Sequence, residues 1–216
     1  RSLVPTANIS AGRNASALPA APRSLGAIAF KDRFGVDQEV EQVLASTHTD
    51  GFIVVQDATI IEERYLNGLT PDCPHILMSV AKSLTACLAA AISDRGWLDF
   101  AAGVVEFVPE VEGTAYEDAT IQHLLDMSAG VDFDEDYGAT EGPMITYRQS
   151  TGWNPPSDDA DAPSDLRTFL LTLRKARQHG GHFQYTSPNT DLLAWVIERA
   201  ARMPFGDAMS AYIWQP

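Results

Sequence analysis

Lysine is scarce in this sequence of 216 residues, and positive charge as a whole is in short supply. Lys31, Lys82 and Lys175 are the three lysines, against twelve arginines, and the 15 cationic residues face 29 acidic ones. A formal net charge of −14 repels nucleic acid and anionic membrane surfaces, and no basic patch offsets that repulsion. The composition therefore excludes both as partners and favours small neutral or cationic ligands.

Cysteine is scarce, and long apolar runs without polar interruptions are lacking. Cys73 and Cys87 are the two cysteines, and without a C-x-x-C pair they predict neither a disulfide framework nor a zinc knuckle. They are compatible with a reducing compartment, and we expect a cytoplasmic location. No apolar run predicts a secretory signal or a membrane span, and since the sequence begins at Arg1 we expect its front to be trimmed.

The order of segments predicts three regions. Residues 1–26 are rich in Ala, Ser and Pro and read as a surface arm without chemistry. Residues 27–78 are expected to form an N-terminal helix and the first strands of an α/β sheet domain, and residues 79–216 a nucleophile helix within a mostly helical lobe.

Periodicity places the individual elements within these regions. Two β-rich runs, Gly51–Gln56 and Thr59–Tyr65, are separated by two residues and predict a hairpin. A long loop is expected over residues 139–162, and loops of that length in a compact domain are typically binding loops. Helices are predicted over residues 36–45, 79–95, 104–110, 120–127, 165–177 and 191–201.

The most informative stretch runs from His75 to Ile92, which is almost wholly apolar apart from Ser79 and Lys82 near its start. On a helix these two share one face, one turn apart. A guanidinium cannot release its proton in a protein, whereas an ammonium in an apolar pocket can, so a lysine in this arginine-rich sequence indicates that an amine is needed. We therefore predict a mostly buried helix that begins with a nucleophile beside its base. The alternative is a structural lysine whose stem packs while its head reaches water.

Two patterns that suggest metal binding are weak. His179 and His182 flank a diglycine without a third ligand spaced nearby, and His123, beside two leucines, is typical of a hydrogen-bonded structural histidine. The acidic segment 132–138 fails the calcium-loop pattern, because its sixth and twelfth positions are not Gly and Glu. We predict no metal and no cofactor.

The same acidic segment suggests a role in ligand selection. Asp132, Asp134 and Asp136 alternate along it, ahead of the predicted long loop. We expect these three side chains to bias the pocket toward cationic substrates.

Several motifs, in order, match a known superfamily. The run from Ser79 to Lys82, followed later by Tyr185-Thr186-Ser187 before an apolar helix, resembles the serine β-lactamase and penicillin-binding-protein superfamily, with its class C and esterase branch nearest. The strings M-S-V-A-K-S-L, D-E-D-Y and F-Q-Y-T-S-P-N-T-D-L-L-A-W are similar to the nylon-oligomer hydrolases, which cut linear 6-aminohexanoate dimers. The resemblance implies a β-lactamase-like α/β (α+β) fold, with an antiparallel sheet flanked by helices and the C-terminal part of the fold absent from this chain.

The resemblance also implies roles for individual residues. Ser79 is the acylated nucleophile, Lys82 is its general base, and Tyr185 passes the proton to the leaving group. Ser187 is expected to hydrogen-bond the lysine, and Tyr137 to lie in a loop that closes on the substrate. At the position where hydrolases of amino-terminated dimers carry an acidic residue this sequence has Arg148, which favours ester over oligoamide cleavage.

We therefore expect a serine hydrolase that cleaves small carboxylic esters or linear amides through an acyl-enzyme. A β-lactamase or D-alanyl carboxypeptidase is the alternative enzyme, and a non-catalytic binding module in the same cleft is the alternative from another class. The expected partner is a small-molecule ester or amide. A homodimer, and a separate C-terminal polypeptide that completes the fold, are both left open.

Overall fold

The computed structural model describes residues 6–13 and 16–216, so positions 1–5 and 14–15 of the predicted arm lie outside the described residues. The chain divides into two compact units, which are described separately. One contains residues 16–77, and the other contains residues 6–13 and 78–216.

The smaller unit contains the predicted hairpin. Strands β3 (Gly51–Gln56) and β4 (Thr59–Tyr65) pair antiparallel with the expected bounds. Asp57 and Ala58 between them have φ angles of 51° and 56°, and two successive positive φ angles are what a two-residue type I′ hairpin turn requires. The hairpin prediction is therefore confirmed.

A second, shorter hairpin precedes it. Strand β1 (Ala29–Lys31) pairs antiparallel with β2 (Asp37–Glu39), and helix α1 (Val40–Ser46) follows directly. The sequence predicted a helix from Val36, and this boundary was wrong. Residues 37–39 satisfy their backbone groups by pairing with β1, so the helix begins only where that ladder ends.

The larger unit is mostly helical. Its helices α2 (Val80–Asp94) and α7 (Ser187–Ala201) pack against each other. Leu88 and Ile92 of the first lie in the same buried core as Leu192 and Ile197 of the second. Within the described ranges, no helix combines the length and apolar character needed to cross a bilayer. The helices are α2 (Val80–Asp94), α3 (Val104–Phe107), α4 (Ile121–Leu125), α5 (Pro143–Ser150), α6 (Leu166–Thr172), α7 (Ser187–Ala201) and α8 (Phe205–Met209), with a 3₁₀ turn at Pro109–Val111 and a π-helical turn at Ser210–Trp214.

Helix α5 lies inside the segment predicted as a long loop, so that prediction was wrong for residues 143–150. Gly142, with φ at 83°, turns the chain into the helix, and Pro143 occupies its first turn, where a missing N–H costs no hydrogen bond. Met144 then anchors the helix in the core. A Gly-Pro pair thus begins a helix here, although such pairs usually indicate a turn.

Two other helix ends differ from the prediction by four residues or more. Helix α6 ends at Thr172 instead of 177, because Lys175 pairs with Val131 in an isolated antiparallel bridge. Helix α7 begins at Ser187, four residues earlier than expected, with Pro188 in its first turn. Ser187 is consequently part of the helix start, and Tyr185 lies just before it.

Candidate active site

Ser79 lies at the start of α2, just after a strained residue. It is the N-cap of the helix, and Met78 before it has a φ of 46°. Non-glycine residues are uncommon in this left-handed region, and the strain they carry is often found at functional sites. The turn at Met78 leaves Ser79 exposed at the end of the helix.

Three of the predicted site residues meet at the Ser79 hydroxyl. Lys82 Nζ donates a hydrogen bond to Ser79 Oγ at 3.1 Å, and the Tyr185 hydroxyl donates to the same oxygen at 2.7 Å. Lys82 Nζ also lies 5.2 Å from the centre of the Tyr185 ring. The arrangement places an amine and a phenol within direct proton-transfer distance of the Ser79 oxygen, which would be the nucleophile.

Helix α2 is less buried than the sequence suggested. Its inner face, with Leu88 and Ile92, is fully buried, but Val80 is 60% exposed, Cys87 is exposed and Lys82 is half-buried. Small apolar residues run around the whole helix, but only one of its faces packs against the core and the other faces solvent. The prediction of a mostly buried helix was therefore wrong for its outer face.

A pocket of about 430 Å³ opens beside Ser79 and Lys82. The other predicted site residues, Tyr137, Arg148 and Ser187, all contribute to its lining. The loop and helix α5 that follow the acidic segment therefore face the same cavity as the nucleophile.

Ser187 contacts a partner that was not predicted. The resemblance implied a hydrogen bond to Lys82, but the Ser187 hydroxyl donates to Glu135 Oε1 at 2.7 Å and its backbone N–H donates to Glu135 Oε2 at 2.6 Å. The first N–H groups of a helix lack intrahelical acceptors, and a carboxylate is stabilised at that end of the helix dipole. Glu135 thus caps α7 and also accepts the hydrogen bond of the Ser187 hydroxyl.

Glu135 also holds Tyr137. The Tyr137 hydroxyl donates to Glu135 Oε1 at 2.5 Å, and this carboxylate raises the pKa of Tyr137 to about 12. The phenol therefore stays protonated at neutral pH, with its hydrogen directed at Glu135.

The acidic residue at the pocket differs from those predicted. Among the described residues of the acidic segment, Glu135 lines the pocket, whereas Asp132, Asp134 and Asp136 are exposed to solvent. The three aspartates therefore do not contact the pocket, and their expected bias toward cationic substrates stays a prediction. Neighbouring residues in an extended segment point in alternate directions, so a segment with four acidic residues does not reveal which one faces inward.

Beneath the pocket lies a second polar pair that the sequence analysis missed. The Tyr147 hydroxyl donates to Asp191 Oδ2 at 2.7 Å. Burial raises the pKa of Asp191 from its ordinary 3.8 to about 6, although the Tyr147 hydrogen bond and the charge of Lys82 oppose the rise. The sequence gives no signal for this, because at the start of the predicted helix over residues 191–201 Asp191 resembles an ordinary first-turn acid.

We expect Asp191→Asn to change how stability depends on pH. With a folded pKa near 6 and an unfolded pKa near 3.8, the folded wild-type protein binds more protons between those values. The Asp191 contribution is therefore complete below pH 3.8 and is lost as pH rises through about 6, by at most about 3 kcal/mol. Urea unfolding of both proteins from pH 4 to 7 should show the wild type losing stability relative to the variant. A constant difference across that range would contradict the assigned pKa.

Two histidines, His123 and His179, accept hydrogen bonds from backbone N–H groups. His123 Nδ1 accepts the Thr120 N–H at 3.1 Å, and His179 Nδ1 accepts the Gly130 N–H at 2.9 Å. His179 Nε2 lies 3.0 Å from Asp118, and burial lowers its pKa. Within the described part of the chain, no group of three or more His, Cys, Asp or Glu side chains is placed to hold a metal ion.

Comparison with known proteins identifies similar chains. Residues 36–216 match the family model described as Beta-lactamase. The 6-aminohexanoate-dimer hydrolase of Paenarthrobacter ureafaciens is 38% identical over 213 residues, which cover 98% of this chain and 52% of the relative. A structure from Bacillus anthracis, assigned as a 6-aminohexanoate-dimer hydrolase, is 25% identical with a TM-score of 0.81. The match covers 93% of this chain and 52% of the Bacillus anthracis chain.

A more distant structure shares the fold. A class C β-lactamase from Rhodobacter sphaeroides is 20% identical with a TM-score of 0.54, over 80% of this chain and 46% of that one. The chain spans about half the length of the relatives it matches.

Proposed function

Because the chain belongs to the beta-lactamase family, we propose that it acts as a serine hydrolase on small carboxylic esters and linear amides. Its β-lactamase-like fold agrees with the sequence prediction. The observation that carries the proposal is the Ser79 oxygen held 3.1 Å from the Lys82 amine and 2.7 Å from the Tyr185 hydroxyl. The relative from Paenarthrobacter ureafaciens supports linear amides as one substrate class.

Acylation requires Lys82 as the neutral amine. In that state Nζ takes the proton of the Ser79 hydroxyl while Oγ bonds to the substrate carbonyl carbon. Negative charge develops on the carbonyl oxygen, and the Ser79 backbone N–H at the start of α2 provides one donor for it. Nucleophile and base need little rearrangement because they already share one turn of helix.

Tyr185 completes the cycle. Its hydroxyl lies 2.7 Å from Ser79 Oγ and its ring lies beside Lys82 Nζ, so it can protonate the departing alcohol or amine and recover a proton from the Lys82 ammonium. In deacylation the steps run in reverse. A water molecule gives its proton to the Lys82 and Tyr185 pair, its oxygen bonds to the acyl carbon, the bond between that carbon and Ser79 Oγ breaks, and the pair returns the proton to Oγ.

We propose that esters are turned over faster than amides. An alkoxide leaves more readily than an amine, which must be protonated as it departs. In addition, Arg148 in the pocket lining repels the ammonium of an amino-terminated oligoamide. Ester cleavage is therefore the proposed main activity.

Rapid mixing with a p-nitrophenyl ester tests the hydrolase proposal. We expect a burst of about one equivalent of nitrophenolate, then slower turnover, and a transient protein mass raised by one acyl group. A parallel sample with a β-lactam examines the β-lactamase and D-alanyl peptidase alternative, which predicts a stable adduct or ring opening. A non-catalytic binding module would show no burst, no adduct and no turnover. That result would contradict the hydrolase proposal.

Location and assembly stay predictions. Cys73 and Cys87 are both free thiols, which is compatible with the proposed cytoplasmic setting.

A further inference from the structure

Arg148 brings a positive charge into the pocket. It follows Tyr147 on α5, and while the Tyr147 hydroxyl points to Asp191, Arg148 lines the cavity beside Ser79 and Lys82. Arg148 as a whole residue is half-buried. One Nη donates to the Tyr137 carbonyl at 3.0 Å, and the central carbon of the guanidinium lies 6.0 Å from the centre of the Tyr137 ring. These contacts hold the side chain against the pocket wall.

No carboxylate neutralises this charge among residues 6–13 and 16–216, where Arg148 forms no ion pair within 4.0 Å. Glu135 is the carboxylate that lines the same pocket, but it already accepts hydrogen bonds from the Ser187 N–H, the Ser187 hydroxyl and the Tyr137 hydroxyl. A guanidinium has five N–H donors, and the bond to the Tyr137 carbonyl uses one of them. The pocket therefore presents donors with positive charge that a ligand can use.

We propose that Arg148 selects substrates whose acyl part carries a carboxylate at the end remote from the scissile bond. The planar guanidinium matches a carboxylate in two parallel hydrogen bonds, and partial burial strengthens such a pair. Tyr137, Trp153 and Met144 supply apolar pocket surface for a short chain between the carboxylate and the reacting carbonyl. This inference rests on the proposed hydrolase function and names the substrate class of the same site.

The net charge of −14 favours cationic ligands at long range, but it does not decide selection inside the pocket. Salt screens interactions between exposed charges over about 10 Å at 0.1 M, so the overall field mainly influences the rate of approach. Direct contact with the guanidinium of half-buried Arg148 acts after approach. The predicted preference is therefore the reverse of the one that composition suggests.

Three matched p-nitrophenyl esters test the inference, those of adipate (anionic), hexanoate (neutral) and trimethylammonio-valerate (cationic). We expect the wild-type protein to show the highest kcat/KM on the anionic ester and the lowest on the cationic one. In Arg148→Gln the ratio of anionic to neutral kcat/KM should fall about tenfold. Arg148→Lys should recover part of that ratio, because it restores charge without the planar fork.

Arg174→Gln is the matched control, since it removes one exposed positive charge outside the pocket lining. It should leave the ratio within about twofold of the wild type. An unchanged ratio in Arg148→Gln, an equal fall in Arg174→Gln, or a wild-type preference for the cationic ester would overturn the inference. Turnover of none of the esters would contradict the hydrolase proposal as well, whereas turnover without charge preference would contradict only the role of Arg148.

Discussion

Replacing Lys82 by arginine is expected to lower kcat/KM for a small ester about 10³-fold. Arginine keeps the positive charge and a long apolar stem, but its guanidinium cannot release a proton at the pH of the assay. A positioned general base typically contributes 10²- to 10⁴-fold. Because Lys82 Nζ lies 3.1 Å from Ser79 Oγ, the substitution removes the base while it retains a donor near the nucleophile.

The scarcity of lysine provides two controls for this experiment. Lys175→Arg and Lys31→Arg make the same chemical change at residues that form ion pairs with Asp118 and Asp37. Both should keep kcat/KM within about twofold of the wild type, because an arginine can maintain an exposed ion pair. If Lys82→Arg kept more than a tenth of the activity, Lys82 would be a structural lysine and the proposed base would be wrong.

Tyr185→Phe is expected to lower kcat/KM about 10²-fold for an ester, and further for the corresponding amide. The change removes the hydroxyl that lies 2.7 Å from Ser79 Oγ and keeps the ring beside Lys82. An amine leaves poorly without a proton, whereas an activated alkoxide leaves with little assistance, so the loss should depend on the leaving group. Steady-state kinetics on an ester and amide with the same acyl group would measure the difference.

Tyr65→Phe is the control for that substitution. Tyr65 lies in the smaller unit, and its hydroxyl donates to Glu63, so the variant also loses a phenolic hydrogen bond to a side chain. It should retain wild-type kinetics on both substrates. Equal losses on ester and amide in Tyr185→Phe would indicate that the hydroxyl positions Ser79 and does not protonate the leaving group.

Local patterns predicted the parts of the structure that local physics determines. The hairpin at Gly51–Tyr65 follows from strand periodicity around a two-residue turn. The contact between Ser79 and Lys82 follows from a spacing of three residues at the start of a helix. Tyr185 is 106 residues from Ser79, and only the family resemblance, not periodicity, brought the two together before their 2.7 Å contact was observed.

The features that the sequence analysis missed depend on tertiary packing. Glu135 reaches Ser187 across 52 residues, and Asp191 reaches Tyr147 across 44, so neither partner is visible in a local pattern. Helix α5 was obscured by the Gly-Pro pair at its start, although the burial of Met144 accounts for its place in the fold. The outer face of α2 was misjudged because small apolar residues fit both buried and exposed positions.

Labelling with a fluorophosphonate, followed by intact-mass and peptide analysis, tests the central claim that Ser79 is the activated nucleophile. The proposed site predicts one adduct per chain, located on Ser79, that disappears in Ser79→Ala and persists in Ser83→Ala, one turn further along α2. Lys82→Arg should slow the labelling strongly without moving its position. An adduct that persists in Ser79→Ala, or no adduct in a wild-type protein that is folded, would contradict the claim.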